Sequence, residues 1–133
     1  MYISVAICDD DLILCADVER MLGRIFRELS LKYNIDVYNS GEPLCHEMQH
    51  TKYDIVFLDI ELPGMNGVKT GKYIRENLKN EIVQIAYISA REDYAMELFD
   101  YRPINFLVKP LDEIKLRKVI NKYLVITEQD NYT

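Results

Sequence analysis

The sequence predicts an α/β fold, a doubly wound sheet of about five parallel strands with helices on both faces. Three observations carry this prediction. Short apolar runs, IVFL at 55–58 and IAYI at 85–88 among them, are bounded by turn residues, as buried parallel strands are. Stretches with apolar residues at helical spacing separate them. The runs also end alike, in polar side chains. ISVAIC at 3–8 ends in Asp9, Asp10 and Asp11, IVFL in Asp59, IAYI in Ser89, and FLV at 106–108 in Lys109.

The first strand is expected over 3–8. A helix follows with Asp10 or Asp11 as N-cap, and its Leu14, Val18, Met21, Leu22, Ile25 and Leu29 recur at helical spacing. A second strand falls at 35–38. Ser40, Gly41, Glu42 and Pro43 then open a short helix that turns Leu44, Cys45 and Met48 inward. The third strand is expected at 54–58. After it the loop ELPGMNG at 61–67 carries Pro and Gly as turn markers, and a helix over 68–78 sets Gly71 and Ile74 against the sheet. The fourth strand is expected at 84–89, and a helix at 93–99 is broken by Tyr101, Arg102 and Pro103. The fifth strand is expected at 105–108, and Lys109-Pro110 fits a cis-proline turn. The last helix is expected over 111–124 with Val119, Ile120 and Tyr123 on its apolar side. The organisation is then one domain over 1–126, with 127–133 a polar tail or the start of a linker.

Composition narrows the function. The chain has 133 residues, 49% of them hydrophobic, enough for one domain with a real core. Its formal charge of −6 argues against this segment alone gripping nucleic acid. No apolar run is long enough to span a bilayer, and the start lacks the charged and apolar regions of a signal peptide, so a cytoplasmic location is expected. Cys8, Cys15 and Cys45 form an odd set without CxxC spacing and read as free thiols acting as small apolar residues.

Five βα units fit a flavodoxin-like (βα)5 sheet in the order 2-1-3-4-5, with ligands outside the carboxyl ends of the strands. Strands one and three then flank the switch point, so Asp9, Asp10 and Asp59 face each other while Ser89 and Lys109 close the far side. Three crowded carboxylates repel one another, and Mg²⁺ relieves that conflict while leaving room for a phosphate. With the metal and Lys109 screening charge and Ser89 donating a hydrogen bond, Asp59 can attack phosphorus and become an acyl phosphate. Each residue also has a plain structural use. Asp10 or Asp11 can cap a helix, Asp59 can start a turn, Ser89 can cap the 93–99 helix, and Lys109 can simply be solvated. Those uses would all have to coincide at strand ends on one rim.

These residues resemble the receiver domain of two-component response regulators. The resemblance spans about residues 2–124 and rests on CDDD at 8–11, FLDIELPGMNG at 57–67, ISA at 88–90 and FLVKP at 106–110. NSGEPL at 39–44 and DIELP at 59–63 look most like the LytTR-type (LytR/AgrA-like) branch. The resemblance implies Asp59 as phosphoacceptor, Asp10 as direct Mg²⁺ (or Mn²⁺) ligand and Asp9 as its neighbour acting mainly through metal-bound water. It implies the Glu61 backbone carbonyl as a further ligand, Lys109 as the phosphoryl-pairing cation, and Ser89 and Phe106 as the switch pair. Phe106 stands where tyrosine is commoner. Glu61 and Arg91 fall at positions that tune the lifetime of the phosphoryl group. A sensor histidine kinase is the implied donor, and the chain is a switch rather than a turnover enzyme. The face of the 93–99 helix, the fifth strand and the last helix is implied to change, with Tyr94, Met96, Leu98, Phe99 and Tyr101 supplying apolar material for a homodimer. DNA would be reached only through a LytTR-type C-terminal domain that these residues do not include, and no membrane contact is implied. The alternative is a stand-alone receiver or pseudo-receiver working by protein–protein contact.

Two rivals come from other classes. His46-Glu47-Met48-Gln49-His50 is a literal HExxH, the zinc-protease signature, but on a helix it lies opposite Leu44, Cys45 and Met48 and faces solvent. A Mg²⁺-dependent aspartate-nucleophile phosphatase of the haloacid dehalogenase type also uses a strand-ending aspartate. It wants a second aspartate two residues on, where Glu61 stands.

Overall fold

The structure, a computed structural model, describes residues 1–94, 98 and 101–131. Its elements are β1 (Tyr2–Cys8), α1 (Leu12–Glu28), β2 (Lys32–Tyr38), α2 (Gly41–Glu47), β3 (Ile55–Asp59), α3 (Gly67–Lys72), β4 (Gln84–Ser89), β5 (Asn105–Val108) and α4 (Glu113–Asn131). A π-helical turn, Tyr73–Asn77, extends α3, and a 3-10 turn, Glu92–Tyr94, follows β4. All strand pairs are parallel, in the order β2-β1-β3-β4-β5. This is the predicted flavodoxin-like sheet.

Alternation of side chains along each strand builds two cores. On one face Val5, Ile7, Phe57 and Ile88 pack with Val18, Leu22 and Phe26 of α1 and Leu116, Val119 and Ile120 of α4. On the other, Ala6, Val56, Leu58 and Tyr87 pack with Leu44 and Cys45 of α2 and with Ile74. Strands buried on both faces explain the continuous apolar runs. All three thiols are buried in these cores, and burial pushes those of Cys15 and Cys45 up to about 11. They stay protonated and act as apolar packing.

Register decides what stands at the rim. Cys8 lies between Tyr38 and Leu58, so the residues that follow, Asp9 and Asp59, emerge at one level. Ser89 pairs with Val108, which puts Lys109 just beyond it.

Several boundaries differ from the sequence reading, each for a physical reason. Strand β2 starts at Lys32 rather than 35, because pairing with β1 carries the polar Lys32-Tyr33-Asn34 stretch at the sheet edge. Leu29 ends α1 as its C-cap and is 37% exposed rather than turned inward. The 68–78 helix is α-helical only to Lys72 and then widens to π geometry. Helix α4 runs on to Asn131, past the polarity change at 127, so that change is not a helix end. The 93–99 helix lies largely outside the described residues. Of its expected apolar set Leu98 is fully buried and Tyr101 packs against the core, which makes both of them core rather than free surface. Met96, Phe99 and the Tyr94 side chain lie outside the described residues.

Candidate functional site

Asp9 follows directly from β1. Its Oδ1 accepts the Asp11 N–H at 2.9 Å, and Asp11, the N-cap of α1, accepts the N–H groups of Ile13 and Leu14. The three aspartates thus divide the work. Asp11 caps the helix, while Asp9 and the exposed Asp10 turn toward the crevice. Asp59 is the last residue of β3 and is 3% exposed. The Ile60 N–H continues the pairing with β4 by donating to Ile88 O, and the loop that follows is closed by the Gly67 N–H on Ile60 O. A side chain at Gly67 would run into the carbonyl of Asp59, with Ile60 Cα 2.6 Å away, so only glycine lets α3 start this close to the acidic strand end. The spacing of Gly64 and Gly67 marked the turn in the sequence; the approach to Asp59 was not legible there.

Asp9, Asp10 and Asp59 each bring a carboxylate oxygen within 4.8 Å of the other two. Lys109 Nζ lies 3.3 Å from Asp9 Oδ2 and 3.8 Å from Asp59 Oδ2. Burial, then the charge of Asp9, pushes the Asp59 carboxyl up to about 6, against the Glu61 N–H and Lys109, which pull it down. Asp9 is raised for the same leading reason, burial. Burial alone would lower Lys109, but Asp59 and Asp9 outweigh it and hold the ammonium above its ordinary value. The site is an acidic pocket short of positive charge.

Ser89 ends β4 with its side chain fully buried, 28 residues from Asp59's neighbour Glu61 in sequence yet touching it. Its hydroxyl donates to Glu61 Oε1 at 3.0 Å and accepts the Arg91 N–H at 2.9 Å. The Glu61 N–H in turn donates to Asp59 Oδ1 at 3.2 Å. The Arg91 guanidinium pairs with Asp93 at 2.6 Å and holds that exposed carboxyl below its usual range. Phe106 is half-buried against the α2–α3 core rather than in the crevice. The structure therefore gathers Asp9, Asp10, Asp59, Glu61, Ser89 and Lys109 on one rim. Phe106 stands to the side, and Arg91 joins through its backbone.

The donor set fits a hard divalent cation. The acceptors are carboxylate oxygens, and the buried Oδ2 of Asp9 makes no hydrogen bond, its contact with Lys109 being an ion pair. The HExxH motif does not make a second centre. Helix α2 ends at Glu47, so His50 lies in the turn beyond it. Both rings are exposed, 6.1 Å apart centre to centre. Among the described residues the acidic trio is the group of three or more side chains placed to hold a metal.

A doubly wound α/β sheet with three carboxylates, a hydroxyl and a lysine at the carboxyl ends of its strands is the arrangement of a receiver-type domain. The chain belongs to the response regulator receiver domain family, whose model matches residues 5–121. It is 26% identical to the sensory transduction protein LytT of Bacillus subtilis over 98% of this chain and 54% of that protein. It is 33% identical to the response regulator ArlR of Staphylococcus saprophyticus, over 90% of this chain and 54% of that protein. The chain thus spans about half the length of these relatives. LytT-type relatives are consistent with the LytTR branch. The fold is that of the response regulatory domain of MrkE from Klebsiella pneumoniae, with a TM-score of 0.81, 23% identity and coverage of 96% and 99% of the two chains. The response regulator TrrA of Thermotoga maritima, solved with Mg²⁺ and beryllofluoride, gives a TM-score of 0.70 at 25% identity over 91% of this chain and 98% of that one. Receiver domains bind Mg²⁺, take phosphoryl groups from sensor histidine kinases and act as signalling regulators. No helix among the described residues is long and apolar enough to cross a membrane.

Proposed function

We propose that this chain accepts a phosphoryl group on Asp59 from a sensor histidine kinase. The observation that carries the reading is the convergence of Asp9, Asp10 and Asp59 within 4.8 Å beneath Lys109. Asp9, Asp10, Asp59 and the Glu61 carbonyl would hold Mg²⁺ or Mn²⁺. When bound, that ion screens the charge of the carboxylate and of the incoming phosphoryl group. A carboxylate oxygen of Asp59 attacks the phosphorus of a phosphohistidine. The O–P bond forms as the N–P bond breaks, and the imidazole leaves with the bonding pair. Lys109, already beside Asp59, pairs with a phosphoryl oxygen.

Ser89 is the switch. It now donates to Glu61 and would donate to the phosphoryl group instead. A group carrying added charge thus selects an arrangement the resting site does not favour. Phe106 offers no hydroxyl to that arrangement and takes part only by packing. Glu61 and Arg91 set the lifetime of the acyl phosphate. Glu61 does so through its carboxylate on Ser89, and Arg91 through its N–H on the same hydroxyl. The output is transcriptional, through a LytTR-type DNA-binding domain outside these residues, with homodimerisation on phosphorylation and a cytoplasmic setting. The receiver occupies 1–126.

The test is intact mass after incubation with acetyl phosphate, with and without Mg²⁺, on wild type and Asp59→Asn. A single phosphate that needs both the metal and Asp59 supports the reading. No added mass together with no beryllofluoride binding means a pseudo-receiver.

A further inference from the structure

Lys115 sits in the first turn of α4, where the positive end of the helix disfavours a cation. Its backbone N–H is capped by Asp112 Oδ1 at 2.8 Å. Its ammonium folds back over the turn and donates to Val108 O and to Pro110 O, each at 2.7 Å. Those two carbonyls bracket Lys109. Val108 ends β5, an edge strand with no outer neighbour among the described residues, and Pro110 lies in the turn just beyond it.

The Lys109 N–H donates to Ser89 O at 2.8 Å, which fixes the residue to β4 from the other side. Lys109 therefore leaves a backbone held at three consecutive residues, two by one ammonium and one by the neighbouring strand. That is how a flexible side chain on the last turn before a helix comes to stand 3.3 Å from Asp9 and 3.8 Å from Asp59.

We propose that Lys115 is a positioning residue for phosphoryl acceptance, acting through Lys109. The inference rests on the receiver reading and deepens it. The Lys115 ammonium is held by two backbone carbonyls rather than by the acidic trio. Its removal should therefore spare metal binding and impair the step that needs Lys109.

The experiment compares wild type, Lys115→Met, Lys115→Arg, Lys109→Met and the double variant Lys109→Met/Lys115→Met. Mg²⁺ affinity is read by calorimetry, and phosphate incorporation from acetyl phosphate by intact mass. Lys115→Met is expected to bind Mg²⁺ within about twofold of wild type, because the carboxylates are untouched. Its incorporation rate is expected to fall about tenfold, the scale of a displaced charged group near a reacting centre. Lys115→Arg keeps donors on a long stem and recovers part of the rate. In the Lys109→Met background the second substitution should cost nothing further, since the group it positions is gone.

Equal rates for Lys115→Met and wild type overturn the inference while leaving the receiver reading intact. So does a parallel loss of Mg²⁺ affinity, which would mark a merely structural lysine, or an undiminished effect in the Lys109→Met background. A wild type that neither incorporates phosphate nor binds beryllofluoride removes the receiver reading and the inference with it.

Discussion

The Ser89 hydroxyl donates its hydrogen bond to Glu61, with Oγ 3.0 Å from Oε1. Both partners of this part-buried bond belong to the rim, so the resting site already satisfies the hydroxyl that phosphorylation would claim. The acceptor that holds it carries negative charge at the mouth of an acidic pocket.

Neutralising that acceptor should ease entry of phosphate. Glu61→Gln keeps an oxygen for Ser89 but removes one charge, worth about 1 kcal/mol at contact distance in water, or roughly fivefold in rate. Phosphate incorporation from acetyl phosphate should rise by about that factor, and more at low salt than at high salt. A rate that falls in Glu61→Gln would mean the carboxylate assists the transfer.

The carboxyl of Asp59 predicts an inverted acid profile for the metal-free protein. Unfolded Asp59 loses its proton near 3.8 and folded Asp59 near 6, so between those values the native state binds more protons and stability falls as pH rises. Asp9 is raised too and adds in the same sense. Thermal melts in chelator should show wild type losing roughly 2–3 kcal/mol relative to Asp59→Asn from pH 4 to 7. Mg²⁺ at pH 7 should restore much of that. A wild type that instead gains on the variant over this range would contradict the crowding of charge at the site.

Gly67→Ala should damage the acidic strand end through the backbone. The new methyl meets the Asp59 carbonyl and Ile60 Cα, and main chain cannot swing aside as a side chain can. The expected cost is about 1–3 kcal/mol in denaturant unfolding, with weakened Mg²⁺ binding in the fraction that folds. Wild-type stability and affinity in this variant would show that the turn has slack.

Arg75 is a structural cation the sequence did not mark. On the π-helical turn, 6% exposed, its guanidinium donates to the carbonyls of Tyr101, Asn80, Val83 and Arg102 at 3.0, 3.0, 2.7 and 3.2 Å. Burial lowers its pKa, and the charge of exposed Glu81 offsets only part of that. Arg75→Met strands these acceptors and should cost about 3 kcal/mol, seen as a lower urea midpoint at unchanged slope. Mg²⁺ affinity should not move, because the tie lies at the opposite end of β4 from the rim.

The sequence by itself determined the strands, their order and the identity of the rim. Buried parallel strands must be continuously apolar, so the first polar residue after each run announces where the strand leaves the core. That is why Asp9, Asp59, Ser89 and Lys109 were legible from hydropathy alone. The polar start of the edge strand β2 and the far end of α4 were not, because pairing and packing hold them where local pattern does not. Only the tertiary structure decided the contacts between distant residues: Ser89 on Glu61, Gly67 on the backbone of Asp59, Lys115 around Lys109 and Arg75 on its carbonyls. Hydrogen bonds of this kind depend on where two elements stop relative to each other. Such distances follow from register and packing rather than from the residues on either side.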